Sequence, residues 1–417
     1  MALKHLGVFA LAAFMVFGAM AVPVVVQASP PLTDDLQILG KELFFDKNLS
    51  TPPGQSCASC HDPKAGFADP DVDQPVSQGV IRPRFGSRNT PSASYAAFSP
   101  ALHWDPRMSQ ANMMKGMYVG GLFWDGRADT LEEQALQPFL NILEMHNMNH
   151  KQVVLAIRQS SYAYLFRLVF GADALNDVEK AFEYAGEAIA AYERSTEVNP
   201  FTSKYDHASV GLVELSEAEA RGLALFTGKA NCHNCHTATP DPVAGKPLFT
   251  NFGHQNLGTP ANPDNPFYNL PRKFNPDGKN YVDLGLGKVL EERGDPNKDV
   301  VNASAQKQKG MFKIPSLRNV AVTPPYEHNG VFKTLREVVM FNNTRDVPGA
   351  GWPPPEVPEN VHRHMSMGGM GSGMGMGMEP PPVFFGDLKL TDQEVYDIVA
   401  FLETLTDGYE VPEIPAP

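Results

Sequence analysis

Two segments of this 417-residue chain read Cys-x-x-Cys-His: Cys57-Ala58-Ser59-Cys60-His61 and Cys232-His233-Asn234-Cys235-His236. They hold all four cysteines of the sequence. This spacing is the attachment signature of c-type haem, in which two thiols add across the vinyl groups and the adjacent histidine ligates the iron. Four cysteines could instead form two disulfides or one zinc site. Neither alternative needs a histidine directly after the second cysteine of both pairs. The expected cofactors are therefore two covalently bound c-type haems, held by Cys57, Cys60, Cys232 and Cys235, with His61 and His236 on the irons. Haem iron carries electrons or activates an oxidant according to its sixth position.

The elements that must hold these motifs read as helices. Leu36–Phe45 carries apolar residues at helical spacing ahead of the first motif. Ser216-Glu217-Ala218-Glu219 is a capping-box pattern leading into a helix through Phe226, ahead of the second. Thr391-Asp392-Gln393-Glu394 repeats the box and starts an amphipathic helix to about Leu405. A helix before the haem motif and another closing the domain is the arrangement of a small cytochrome c. The expected fold is mainly α, with two cytochrome-c-like haem domains and long ordered loops, spanning residues 32–205 and 206–410 and meeting near 200–212. Leu131–Leu140, Val153–Phe170 and Val178–Arg194 also read as helical, and strand signals are sparse. Residues 239–308, rich in Pro, Asn, Gly and Asp, read as an ordered loop region, consistent with 37 prolines and 35 glycines in the chain.

At the N-terminus, Lys4 and His5 precede an apolar run from Leu6 to about Val26, and Val26-Gln27-Ala28 offers a cleavage site. Residues 1–28 are expected to be a signal peptide, which places the protein in the periplasm, where c-type haem is attached. The run approaches the length of a spanning helix, so an uncleaved anchor, and membrane or surface association, is the alternative. The formal net charge of −13 argues against nucleic acid as a partner. Residues 352–382 form a Pro/Gly/Met-rich insertion. Within it His362, His364, Met365, Met367, Met370, Met374, Met376 and Met378 offer ligands that soft Cu(I) prefers. Copper or a copper protein is thus a candidate partner at His362–Met378; the alternatives are a loop without a ligand, or sacrificial oxidation sites.

Further motifs carry a resemblance. Arg88-Asn89-Thr90-Pro91, Phe123-Trp124-Asp125-Gly126-Arg127-Ala128, Glu144-Met145, Ile314-Pro315-Ser316-Leu317-Arg318-Asn319-Val320 and Thr323–Gly330 follow in this order around the two haem motifs. From about Leu36 to Leu405 the chain resembles the bacterial di-haem cytochrome c peroxidases and, among them, the MauG-like enzymes. The resemblance implies a peroxidase-type oxidoreductase. Trp124 matches a tryptophan between the haems, Glu144 a distal acid of the N-terminal haem, and Gln134 a distal amide of the same haem. Asn89, Thr323 and Pro325 match the ligands of a calcium ion between the domains, a hard cation suited to oxygen donors.

Two departures from the family pattern matter. Conventional members carry a histidine between the first haem motif and the Arg-Asn-Thr-Pro segment that blocks the N-terminal iron at rest. Here residues 62–88 contain no histidine, which is the MauG-like condition. The C-terminal haem's sixth ligand in the family is a methionine or tyrosine at the position that Asn342 occupies here; Met340 lies two residues away. Peroxide is the expected substrate, and a periplasmic electron donor or a protein substrate the expected partner. A conventional cytochrome c peroxidase and a non-enzymatic di-haem electron carrier or copper-handling protein are the competing readings.

Overall fold

The structure is a computed structural model, and it describes residues 34–109, 115–294, 297, 299–362 and 385–412. The expected signal peptide and most of the Met/His tract lie outside the described residues. Helices α1 (Asp34–Phe45), α2 (Leu131–Leu140), α3 (His150–Gln159), α4 (Ala163–Phe170) and α5 (Val178–Glu193) precede the second haem motif. A short α6 (Lys204–Ser209) then leads to α7 (Glu217–Thr227), α8 (Leu286–Arg293), α9 (Leu335–Thr344) and α10 (Asp392–Glu403). Strands β1 (His103–Ser109) and β2 (Lys115–Val119) form an antiparallel hairpin, and β3 (His254–Gln255) pairs with β4 (Phe312–Lys313). The fold is mainly helical and cytochrome-c-like, as expected.

Local chemistry explains the helix boundaries. Capping boxes open α7 (Ser216 with Glu219), α9 (Thr334 with Glu337) and α10 (Thr391 with Glu394), each satisfying donors that the first turn leaves free. Leu36, Leu39, Leu43 and Phe44 share one face of α1 and are all buried. They pack with Val153, Ile157, Phe166, Phe182 and Ile189 in one apolar core. A second core gathers Phe226, Phe249, Val395, Ile398 and Phe401 from α7, α10 and the loop between.

The two cores repeat one device. Gly40 of α1 lies against the Ala188 carbonyl of α5, and Gly222 of α7 against the Asp397 carbonyl of α10. A Cβ at either glycine would collide with that backbone, so each crossing is as close as two helices allow. Leu43-Phe44 and Leu225-Phe226 follow each glycine at the same distance.

Two sequence expectations change. The helix read over Val153–Phe170 is two, α3 and α4, because Ser160 turns extended and its hydroxyl donates to the Ile157 carbonyl at 2.7 Å. The loop region 239–308 contains α8, whose Leu286, Val289 and Leu290 are buried. Strands are few among the described residues, as the sparse signals suggested; the longest pair is the β1–β2 hairpin, with Trp104 opposite Tyr118. Among the described residues no helix is long and apolar enough to cross a membrane.

Candidate active site

Each Cys-x-x-Cys-His motif winds into a single helical turn. The amides of Cys60 and His61 donate to the Cys57 carbonyl at 3.1 and 2.9 Å, and those of Cys235 and His236 to the Cys232 carbonyl at 3.2 and 2.9 Å. Spacing of three and four residues in such a turn puts both thiols and the imidazole on one side. All four cysteines are free of disulfides. Among the described residues no cluster of three or more His, Cys, Asp or Glu could hold a metal ion.

Both imidazoles are held in the same way. His61 Nδ1 lies 3.0 Å from the Phe67 carbonyl oxygen, and His236 Nδ1 lies 2.9 Å from that of Phe249. A carbonyl only accepts, so Nδ1 carries the proton and Nε2 keeps its lone pair for a metal. Phe67 and Phe249 both adopt left-handed backbone, with φ of 58° and 52°. That conformation is uncommon for a bulky side chain. Burial lowers the pKa of both rings, that of His236 to about 4, so both are neutral at pH 7.

Each turn faces a cavity. The first, of about 670 Å³, is lined by Cys57, Cys60, His61, Gln134 and Glu144 among others. The second, of about 250 Å³, has Cys232, Cys235 and His236 on one wall and Phe226, Val339 and Leu402 around them. Paired thiols beside a neutral imidazole, at the edge of an apolar slot, fit a covalently attached haem in both places.

The sequence-expected residues share the cavity of His61. Gln134 of α2 and Glu144, which follows that helix, border the same cavity. Burial pushes the Glu144 carboxyl up, and the positive charge of Arg127 and a hydrogen bond from Asn141 pull it part of the way back. Glu193, at the end of α5, borders the cavity too and is pushed up to about 8 by burial. The sequence reading missed it, since a glutamate at the end of an amphipathic helix carries no signal of facing inward. His61 is the sole histidine among the described residues lining this cavity.

Trp124 borders both cavities. Its indole Nε1 donates to the Asn89 carbonyl at 2.8 Å, and its own carbonyl accepts from the Lys313 amide at 2.7 Å. Asn89 in turn donates its amide to the His328 carbonyl at 2.8 Å. Asn89, Thr323 and Pro325 meet on the wall of the second cavity. Beside them Arg88 forms a bidentate pair with Asp283, at 2.6 and 2.8 Å, and also reaches Asp125. Burial opposes ionisation of Asp283, but the Arg88 guanidinium outweighs it and holds the carboxyl well below its usual range.

Asn342 also lines the second cavity, with Nδ2 donating to the Val338 carbonyl at 3.1 Å. Met340 instead packs against the second apolar core. Of the Met/His tract only His362 is described. It is 1% exposed, and so belongs to the interior instead of an open copper-binding loop.

Comparison with known proteins agrees. The di-haem cytochrome c peroxidase family matches residues 35–212. The chain is similar to the methylamine utilization protein MauG of Paracoccus denitrificans, at 40% identity over 90% of each chain. Among solved structures it is similar to the diheme peroxidase BthA of Burkholderia thailandensis, with a TM-score of 0.72 and 34% identity over 91% of this chain and 88% of that one. A MauG-like protein associated with microbial copper homeostasis gives a TM-score of 0.58 and 27% identity over 95% and 96% of the two chains.

Proposed function

The chain belongs to the di-haem cytochrome c peroxidases, oxidoreductases with two c-type haems, and from that premise we propose a MauG-like peroxidase: it takes hydrogen peroxide at the cavity of His61 and draws electrons from a protein partner by way of the cavity of His236. One observation carries the MauG-like reading: no second histidine borders the first cavity among the described residues. Peroxide can therefore enter opposite His61 without a prior reduction step. The haem bound there supplies the redox-active iron; the chain supplies position and protons.

Glu144 takes a proton from one peroxide oxygen and returns it to the other, and its raised pKa suits it to hold that proton between the two events. Gln134 orients the oxidant by its amide. Trp124 offers a conjugated side chain between the two cavities, fixed by its bond to Asn89. A calcium ion held by Asn89, Thr323 and Pro325 would fix the same junction, where two haem domains, residues 32–205 and 206–410, meet. The leader at residues 1–28 favours the periplasm.

The likeness to a protein associated with copper homeostasis favours a second reading for the partner alone: a copper-handling protein.

Adding peroxide to the fully oxidised protein tests the main reading. An immediate change in the haem absorption spectrum without pre-reduction is expected. Silence until one haem is reduced would identify a conventional peroxidase instead.

A further inference from the structure

His362 is buried, and neither ring nitrogen has a hydrogen-bond partner among the described residues. An imidazole left so is costly, since each unpaired polar atom has given up its water. The cost falls if a metal takes one nitrogen.

Residues that hold its main chain and touch its ring border the second cavity. The His362 amide donates to the Asn256 carbonyl at 2.8 Å, while the Asn256 side chain donates to the carbonyls of Val357 and Glu359, at 3.1 and 2.9 Å. Asn256 and Val357 are both walls of that cavity. Arg345, at the end of α9, donates to the His362 carbonyl from the other side. The ring itself stands edge-on to Phe385 at 5.5 Å between centroids. Phe385 packs with Cys235 and Ile314 and borders the cavity. The next residue, Gly386, donates its amide to the Asn342 carbonyl at 2.7 Å. His362 and Asn342 thus both touch one short segment, Phe385-Gly386, and Phe385 and Asn342 line the same cavity as His236.

Asn342 is a poor candidate for the iron. Its amide nitrogen is engaged with its own helix, and a neutral amide oxygen is a harder donor than imidazole, which suits iron. We infer that a ring nitrogen of His362 is the sixth ligand of the iron held by His236, so that this haem carries two histidines where relatives use methionine or tyrosine. The inference rests on the two-haem reading above.

Electron paramagnetic resonance of the oxidised holoprotein tests it, alongside a pyridine haemochrome count of haems per chain. The wild type is expected to show one low-spin haem. His362→Gly should lose that signal in favour of a high-spin one, and added imidazole should restore it. A merely structural histidine would not be rescued in this way. His362→Met, which keeps a ligand, should stay low-spin with a raised reduction potential. A low-spin signal unchanged in His362→Gly without imidazole, or a potential unchanged in His362→Met, overturns the inference. A haem count below two would instead overturn the two-haem reading, so the two failures are distinguishable.

Discussion

The indole of Trp124 is tied by a 2.8 Å hydrogen bond to the main-chain carbonyl of Asn89, and both residues border both cavities. The side chain that borders both cavities is thus fixed to the segment that also lines the proposed calcium position. Orientation of the ring and the junction itself are one construction.

Trp124→Phe keeps an aromatic ring but leaves the Asn89 carbonyl without its donor. Stability is expected to fall by about 1 kcal/mol. Both haems should stay attached, while the rate at which oxidation at one haem appears at the other slows. Stopped-flow absorption of the two haems after a peroxide pulse checks this; an unchanged rate would remove Trp124 from the route.

Glu144→Gln should slow the reaction with peroxide by roughly 10²–10⁴-fold, the range for losing a general acid–base, with spectra of the resting haems unchanged. Because burial raises the carboxyl from its ordinary 4.5, the wild-type rate should fall as pH drops through a midpoint above that value. The variant should lack this limb. A wild-type profile flat across that range would point to another base.

Glu193 gives a separate pH signature. Burial pushes its carboxyl from 4.5 up to about 8, so the folded protein holds a proton that the unfolded chain releases. The stability tied to that proton is complete below 4.5 and is lost as pH rises through 8. Glu193→Gln cannot ionise, and should gain about 3 kcal/mol over wild type at pH 7. Thermal unfolding at pH 4.5 and pH 8 reads the difference: near zero at the first, large at the second.

Removing calcium should lower peroxide reactivity and haem–haem coupling while leaving both haems covalently attached. Asn89→Ala should weaken calcium retention in the same direction. Unchanged kinetics after chelation, with metal loss verified by elemental analysis, would exclude a role for the ion.

Gly222→Ala should force α7 away from the Asp397 carbonyl of α10 and cost roughly 1–3 kcal/mol, the usual range for overpacking. Gly40→Ala should do the same between α1 and α5. A variant of unchanged melting temperature would mean that the crossing relaxes freely.

How much of this was legible beforehand depended on how local the physics is. The haem motifs and the capping boxes at Ser216 and Thr391 are written in adjacent residues, and those elements stand where the sequence put them. Helix α2 was read from its periodicity alone. The break at Ser160 was missed because one serine can sit inside a helix or end it, and tertiary packing decides which. Helix α8 hid in a stretch dominated by Pro and Asn, and β3–β4 pairs only two residues of each strand, too few for any pattern. The inward position of Glu193 and the burial of His362 depend on which distant segments fold over them, and no spacing announces that.

The matched supports behind His61 and His236 carry a last implication. Phe67 and Phe249 present the same acceptor to the same ring nitrogen, from the same unusual backbone conformation, at nearly equal distance. The two imidazoles are therefore held alike for the metal that each would bind. Any difference in chemistry between the two cavities would then come from their other lining residues, Gln134 and Glu144 in one and the surroundings of Asn342 in the other. Specialisation between the haems can then be redrawn by exchanging a handful of distal side chains, with the scaffold that grips each iron left untouched.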